Sequence, residues 1–190
     1  PVSASAEVYC VSTASQLRNA LADAAASPEA SDIRVRSGFY SLPAANATSV
    51  SLQYTGQSDL DLSGGWINAE CAGRIFNPEE TVLSASGTGR LLSIYLFSGS
   101  QTTINLLNLS FRQGDIGAGV NGAACVDIES DVGADGIVRV DRSSFRLCSK
   151  GGGSGAALRV VARSMDVYVR NNVFADNASV SGIVQFLGLG

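Results

Sequence analysis

Ile104-Asn105-Leu106-Leu107-Asn108-Leu109-Ser110-Phe111, Val138-Arg139-Val140-Asp141-Arg142-Ser143-Ser144-Phe145 and Val167-Tyr168-Val169-Arg170-Asn171-Asn172-Val173-Phe174 decide how this chain folds. They are one phrase written three times in different letters, at spacings of 34 and then 29 residues. In each, two aliphatic residues alternate with outward candidates, and a phenylalanine closes the phrase. Such alternation is the signature of a half-buried strand. A second strand trails each copy: Ala124, Val126 and Ile128 recur as Leu158, Val160 and Ala162 after 34 residues, and Val184 and Phe186 follow after 26. Two strands stepping together over one interval predict an all-β solenoid, in which each turn of chain stacks on the last.

Outward from this stretch the pattern continues. Leu92, Ile94 and Leu96 match Ala124, Val126 and Ile128 at a spacing of 32, and Leu60 and Leu62 follow Ile33 and Val35 by 27. With Val50, Leu52 and Tyr54, this makes roughly five coils about 4.8 Å apart. Small connectors rich in glycine or asparagine (114–122, 151–155, 177–182) fall at matching places. Gly151-Gly152-Gly153 lacks the lysine-serine and strand-to-helix setting of a phosphate loop. The segment 64–80, with Trp66, Cys71 and Pro78, reads as an inserted loop pinned by its disulfide and indole.

Ahead of the strands, Leu17, Ala20, Leu21 and Ala24 form a stripe at helical spacing. Thr13 and Gln16 have the form of a capping box, and Ser27-Pro28 stops the run. The reading is a helix over 13–26 that caps coils running from 32 to 187, in a single domain spanning 1–190. Pro1 to Ala6 reads as a mature start, and Val184 to Gly190 shows no second cap. The last coil is expected to meet further coils after Gly190 or a covering partner.

The 190 residues are 45% hydrophobic, with 21 glycines, 4 prolines and 7% aromatics, which suits short strands, tight turns and aliphatic rows. A net charge of −4, from 17 acidic and 13 basic residues, offers no broad attraction for nucleic acid. No stretch is apolar for long enough to predict a transmembrane helix. The four cysteines lack any C-x-x-C pair and the chain has no histidine. Zinc is therefore not expected, and two disulfides in an oxidising compartment are. Three pairings are open; Cys10 with Cys71 and Cys125 with Cys148 is the one expected, because Cys125 and Cys148 fall on adjacent coils.

Phe174-Ala175-Asp176-Asn177 has an F-x-x-N form and Gly155-Ala156-Ala157-Leu158 resembles a G-G-A-[ILV] form. Together with Asp61-Leu62-Ser63-Gly64-Gly65-Trp66, these resemble the repeats of secreted bacterial parallel β-helix proteins of the pectin-lyase-like superfamily, including polymorphic outer-membrane-protein-like repeats. Phe111-Arg112-Gln113-Gly114 and Phe145-Arg146-Leu147-Cys148 depart from the pattern by lacking the asparagine. The resemblance implies a right-handed parallel β-helix, secreted or at the cell surface, acting on or adhering to a polysaccharide or another surface component.

Alternation assigns the outward side chains. Asp61, Asn105, Arg139 and Tyr168 form one outward column on the first-strand face; Ser63, Leu107, Asp141 and Arg170 form the next. An aromatic ring for a pyranose face, arginines for uronate carboxylates and carboxylates for acid-base work make these the candidate ligand-binding residues. The competing reading is a solvated face on which Asp141 and Arg170 form an exposed pair. Asp61 and Asp141 are two coils apart, about 10 Å, at or beyond the separation used for inverting hydrolysis. No catalytic residue is assigned, and the histidine, aspartate and arginine motifs of pectin-degrading β-helix enzymes are not found. Asp127, Glu129, Asp131 and Asp135 are the one grouping with the oxygens for calcium, although Glu129 is expected to face Arg163 instead; no cofactor is otherwise expected. N-x-S/T occurs at Asn46, Asn108 and Asn177. Three functions stay open: a non-catalytic glycan- or surface-binding module, a polysaccharide lyase or glycoside hydrolase or the amino-terminal part of one, and a structural spacer.

Overall fold

The computed structural model describes residues 6–153, 155–179 and 182–188. A strand that alternation did not reveal comes first, β1 (Glu7–Val11), followed by α1 (Ala14–Ala26). The chain then visits three parallel sheets in the same order five times. The turns are β2 (Ser31–Arg36), β3 (Gly38–Ser41), β4 (Val50–Tyr54); β5 (Leu60–Ile67), with the short hairpin strand β6 (Gly73–Arg74), then β7 (Thr81–Ser84), β8 (Arg90–Leu96); and β9 (Gln101–Leu107), β10 (Ser110–Arg112), β11 (Asp115–Ile116), β12 (Val126–Ser130). Two more follow: β13 (Asp135–Asp141), β14 (Ser144–Arg146), β15 (Ser149–Lys150), β16 (Leu158–Ala162); and β17 (Met165–Arg170), β18 (Val173–Ala175), β19 (Val184–Gly188). The first sheet runs β1-β2-β5-β9-β13-β17, the second β3-β7-β10-β14-β18 and the third β4-β8-β12-β16-β19, with β11 and β15 forming a small fourth. Stacked strands in parallel sheets fit a β-helix or solenoid.

Three main sheets stand where alternation predicts two, because the chain bends left-handed at repeating positions. Asn108, Arg142 and Asn171 have φ of 59°, 49° and 55°, and each separates a first-sheet strand from its phenylalanine strand. Gln113, Leu147 and Asp176 repeat the bend after that strand, at 55° to 56°. Each non-glycine residue in this region costs about 1–2 kcal/mol, so the bend is imposed by the stack. Half-buried amides brace it: Asn172 donates to Val140 O and accepts from Ser143 N, and Asn177 does the same with Phe145 O and Cys148 N.

Between the sheets lies one aliphatic core with an aromatic column. Phe111, Phe145 and Phe174 stack at 5.1 and 4.8 Å between ring centroids. Three strand pairings differ in register from those read by spacing. Ile33 lies over Leu62, not Leu60, with a bulge between Arg34 and Arg36. Val126 pairs with Leu158 and Leu92, a two-residue correction at each neighbour. A slip of two conserves every face, so alternation cannot detect it.

α1 forms as its sequence dictates. Thr13 accepts from Gln16 N, Gln16 Oε1 accepts from Ser12 N, and Ser27 N–H closes the other end on Asp23 and Ala24 carbonyls. Its buried stripe, Leu17, Ala20, Leu21 and Ala24, packs on β4, β2 and β1. Each leucine removed from water there contributes about 1.5–3 kcal/mol. Disulfides join Cys10 to Cys71 and Cys125 to Cys148. The first ties β1 to the loop that follows β5, so this bridge, in the pairing expected, pins the inserted segment to the first strand.

Candidate functional site

Parallel pairing in the first sheet brings both outward columns together. Asp61, Asn105, Arg139 and Tyr168 are successive partners, as are Ser63, Leu107, Asp141 and Arg170. The corrected register adds Asp32 beside Asp61 and Arg34 beside Ser63. A cleft of about 340 Å³ opens on this face, floored by Asp32, Asp61, Asn105 and Arg139 and walled by Trp66 and Arg74.

The wall is the inserted segment, only partly a loop. β5 runs on to Ile67, turns, and pairs antiparallel with β6, placing Trp66 opposite Arg74. Gly65 makes this possible: its φ is 83°, and a Cβ there would lie 2.1 Å from Ile75 O. Arginines and rings then alternate. Arg34, held by Asp32 at 2.8 Å, lies 4.6 Å from the Trp66 ring centre. Arg74 lies 5.3 Å from Trp66 and 5.2 Å from Phe76, and Arg142 lies 5.6 Å from Phe76. Cation–π contacts of this kind contribute about 0.5–1 kcal/mol each when exposed. Arg74 also donates to Gly64 O and Leu107 O, at 2.9 and 3.1 Å, and its burial lowers its pKa. The indole donates to Ser63 Oγ at 2.9 Å. These residues hold the hairpin in place; sequence reasoning placed Trp66 in a loop and gave Asp32, Arg34, Arg74 and Phe76 no part in the site. The signal that could have found Asp32 is the repeat of Asp-Ile and Asp-Leu at 32–33 and 61–62.

Along the floor, Asp61 accepts from the Asn105 amide, and Asn105 Oδ1 accepts from Arg139 at 3.4 Å. Beyond Arg139 the face is open. Tyr168 is 39% exposed, with the guanidinium carbons of Arg139 and Arg170 at 5.8 and 5.1 Å from its ring centre. The expected Asp141–Arg170 pair does not form: Asp141 accepts from Asn171 at 2.9 Å and lies 4.0 Å from Arg142, while Arg170 leans over the tyrosine. Neither Arg139 nor Arg170 has a carboxylate partner among the described residues.

The acidic run considered for calcium is dispersed. Asp127, on the third sheet, meets Arg90 and Arg159 at 3.4 and 2.9 Å. Glu129 pairs with Arg159 at 3.3 Å and not with Arg163, because Val161 occupies its partner position and Arg163 lies past the end of β16. Asp131 accepts from the Tyr95 hydroxyl, and Asp135 from Gly136 N. Among the described residues no three acidic, cysteine or histidine side chains gather as a metal-binding group. Of the N-x-S/T asparagines, Asn108 is fully buried on Gly64 O and Ile75 O, whereas Asn46 is exposed.

No family model matches the chain, and neither any curated protein nor any solved structure matches it. The site is therefore read from its own geometry. Two disulfides suit a non-cytoplasmic, oxidising compartment. No described helix is long and apolar enough to cross a membrane.

Proposed function

We propose that this protein is an extracellular or cell-surface module that binds an acidic polysaccharide along its first-sheet face without cleaving it. The observation that carries this reading is Tyr168, an exposed ring between two guanidiniums that have no carboxylate partner among the described residues. A tyrosine face suits the apolar face of a pyranose, and a planar guanidinium suits a uronate carboxylate in bidentate contact. Strand spacing in a parallel stack repeats these groups at about 4.8 Å, close to the rise of a sugar residue. The cleft under Trp66 continues the same track.

The fold belongs to this proposal in its finer detail: five turns closing into a right-handed parallel β-helix of the pectin-lyase-like kind. The right-handed preference of parallel crossovers supports the hand. The F-x-x-N segment supports the kinship, since Phe174 stacks in the aromatic column and Asn177 braces the bend.

A second reading, cleavage of the bound polymer, is favoured by one observation. Asp32 and Asp61 are partners on adjacent strands of the cleft floor, so one strand spacing of about 5 Å matches the carboxyl separation of retaining glycosidases. Titration calorimetry with polygalacturonate and with neutral dextran, with and without calcium, tests the first reading. Binding of the acidic polymer alone, weakened at least about tenfold by Arg139→Ala, Arg170→Ala or Tyr168→Ala, is expected. Equal affinity for both polymers, or none, would overturn it. Size-exclusion chromatography of the recovered polymer tests the second, because shortened chains would establish an enzyme.

A further inference from the structure

The cleft on the first sheet carries opposite charges at its two ends. Its floor runs Asp32, Asp61, Asn105, Arg139 across the adjacent strands β2, β5, β9 and β13. At one end Asp32 is tied to Arg34 at 2.8 Å, but the exposed Asp61 has no cation partner among the described residues and accepts from the Asn105 amide. At the other end Arg139 has no carboxylate partner among them and donates to Asn105 Oδ1 at 3.4 Å. Arg74, the cation on the wall, directs its donors to Gly64 O and Leu107 O. Asn105 therefore stands between an unneutralised carboxylate and an unneutralised guanidinium, its amide turned to suit both.

A polymer of uronate alone does not suit this floor. Laid from Tyr168 into the cleft, it would meet Arg139 with one carboxylate and then bring another against Asp61, where like charges repel. We propose that the cleft seats a protonated amino sugar on Asp61, next in the polymer to the uronate held by Arg139, so that the ligand is a copolymer of uronate and free hexosamine. An ionised carboxylate only accepts, and a cationic donor makes its hydrogen bond charge-assisted. An N-acetyl group removes that charge. Because the Arg139 guanidinium reaches back to Asn105, it lies less than two strand spacings, about 10 Å, from Asp61. Substituents of two adjoining sugars bridge that span.

Titration calorimetry of the whole chain tests this against heparosan, which alternates glucuronate with N-acetylglucosamine, against the same polymer N-deacetylated, and against chitosan oligosaccharides, which carry the amine without uronate. The inference rests on the reading that this face binds a polysaccharide, and the three ligands separate the two. Deacetylated heparosan is expected to bind at least about tenfold more tightly than its parent. Asp61→Asn, which keeps the side chain's shape at an exposed position, is expected to bring that ratio to within about twofold. In the unsubstituted chain the preference should vanish as pH rises through the amine's pKa, where a carboxylate stays ionised. Equal affinities, or a preference that survives either Asp61→Asn or loss of the amine's charge, would overturn this inference and leave the acidic-polysaccharide reading standing. Binding of chitosan alone, lost in Asp61→Asn, would overturn that reading and keep the amine site; binding of none of the three would overturn both.

Discussion

On the outer face of the third sheet, Asp127 lies between Arg90 and Arg159 with its side chain 6% exposed, and the two arginines are at 15% and 14%. The connector that follows β11 covers them. Arg90 donates to Ala123 O, Lys150 donates to Gly122 O, and a Cβ at Gly122 would lie 2.1 Å from Arg90 Nη2 and 2.2 Å from Asp127 Oδ2. On the outer face of the first sheet, Arg139 and Arg170 flank a half-open tyrosine without a carboxylate partner among the described residues. Both faces carry arginines and aspartates at alternate strand positions, and alternation alone reads them alike. A charge covered by a connector belongs to the fold; a charge on an uncovered face remains for a ligand.

The largest effect should come from breaking the covered network. Asp127→Ala leaves the largely buried Arg90 without its carboxylate and Arg159 with only the half-exposed Glu129, and a loss of about 3–5 kcal/mol is expected, read as a drop in the urea midpoint at unchanged slope. A loss below about 1 kcal/mol would put this network in the same class as the open face. Alkaline titration probes the core beneath both faces. Burial pushes Tyr40 and Tyr54 up to about 12, with their hydroxyls donating to Arg36 O and Ser58 O. The folded state holds these protons more tightly than the unfolded chain, so their contribution is whole below pH 10 and is lost as pH rises toward 12. A fall of about 2–3 kcal/mol for each phenol is expected across that window, and Tyr54→Phe should flatten its share of the pH–stability curve.

Smaller effects sharpen the contrast. Glu129 is 40% exposed, and Glu129→Gln should cost less than about 1 kcal/mol in the same urea experiment. Arg170→Ala should change stability least, within about 0.5 kcal/mol, while weakening acidic-polymer binding. A variant that keeps its urea midpoint and loses its ligand would assign the open face to recognition. One that loses both would return Arg170 to the fold.

Much of this was legible without coordinates. Alternation at Ile104, Val138 and Val167 declares stacked strands, because a side-chain period of two sorts inward from outward wherever one face is buried. The helical stripe from Leu17 to Ala24 and its Thr13 cap are equally local, and the outward columns through Arg139 and Arg170 follow from the same parity. Other features needed the folded chain. β1 has no clean alternation, with only Val11 buried among its residues, so it exists through pairing with β2. The register of Ile33 on Leu62 differs from the spacing estimate by two residues, a shift to which hydrophobic patterning is blind and which backbone pairing and a bulge decide.

The sequence by itself therefore determined the kind of architecture, the capping helix and which side chains leave the core, since these depend on local periodicity and capping chemistry. Tertiary structure alone decided the three-sheet division, the placement of Trp66 and Arg74 over the first sheet, and which arginines are neutralised. Those depend on bends imposed by stacking and on connectors crossing a face, contacts between residues tens of positions apart that no local pattern encodes.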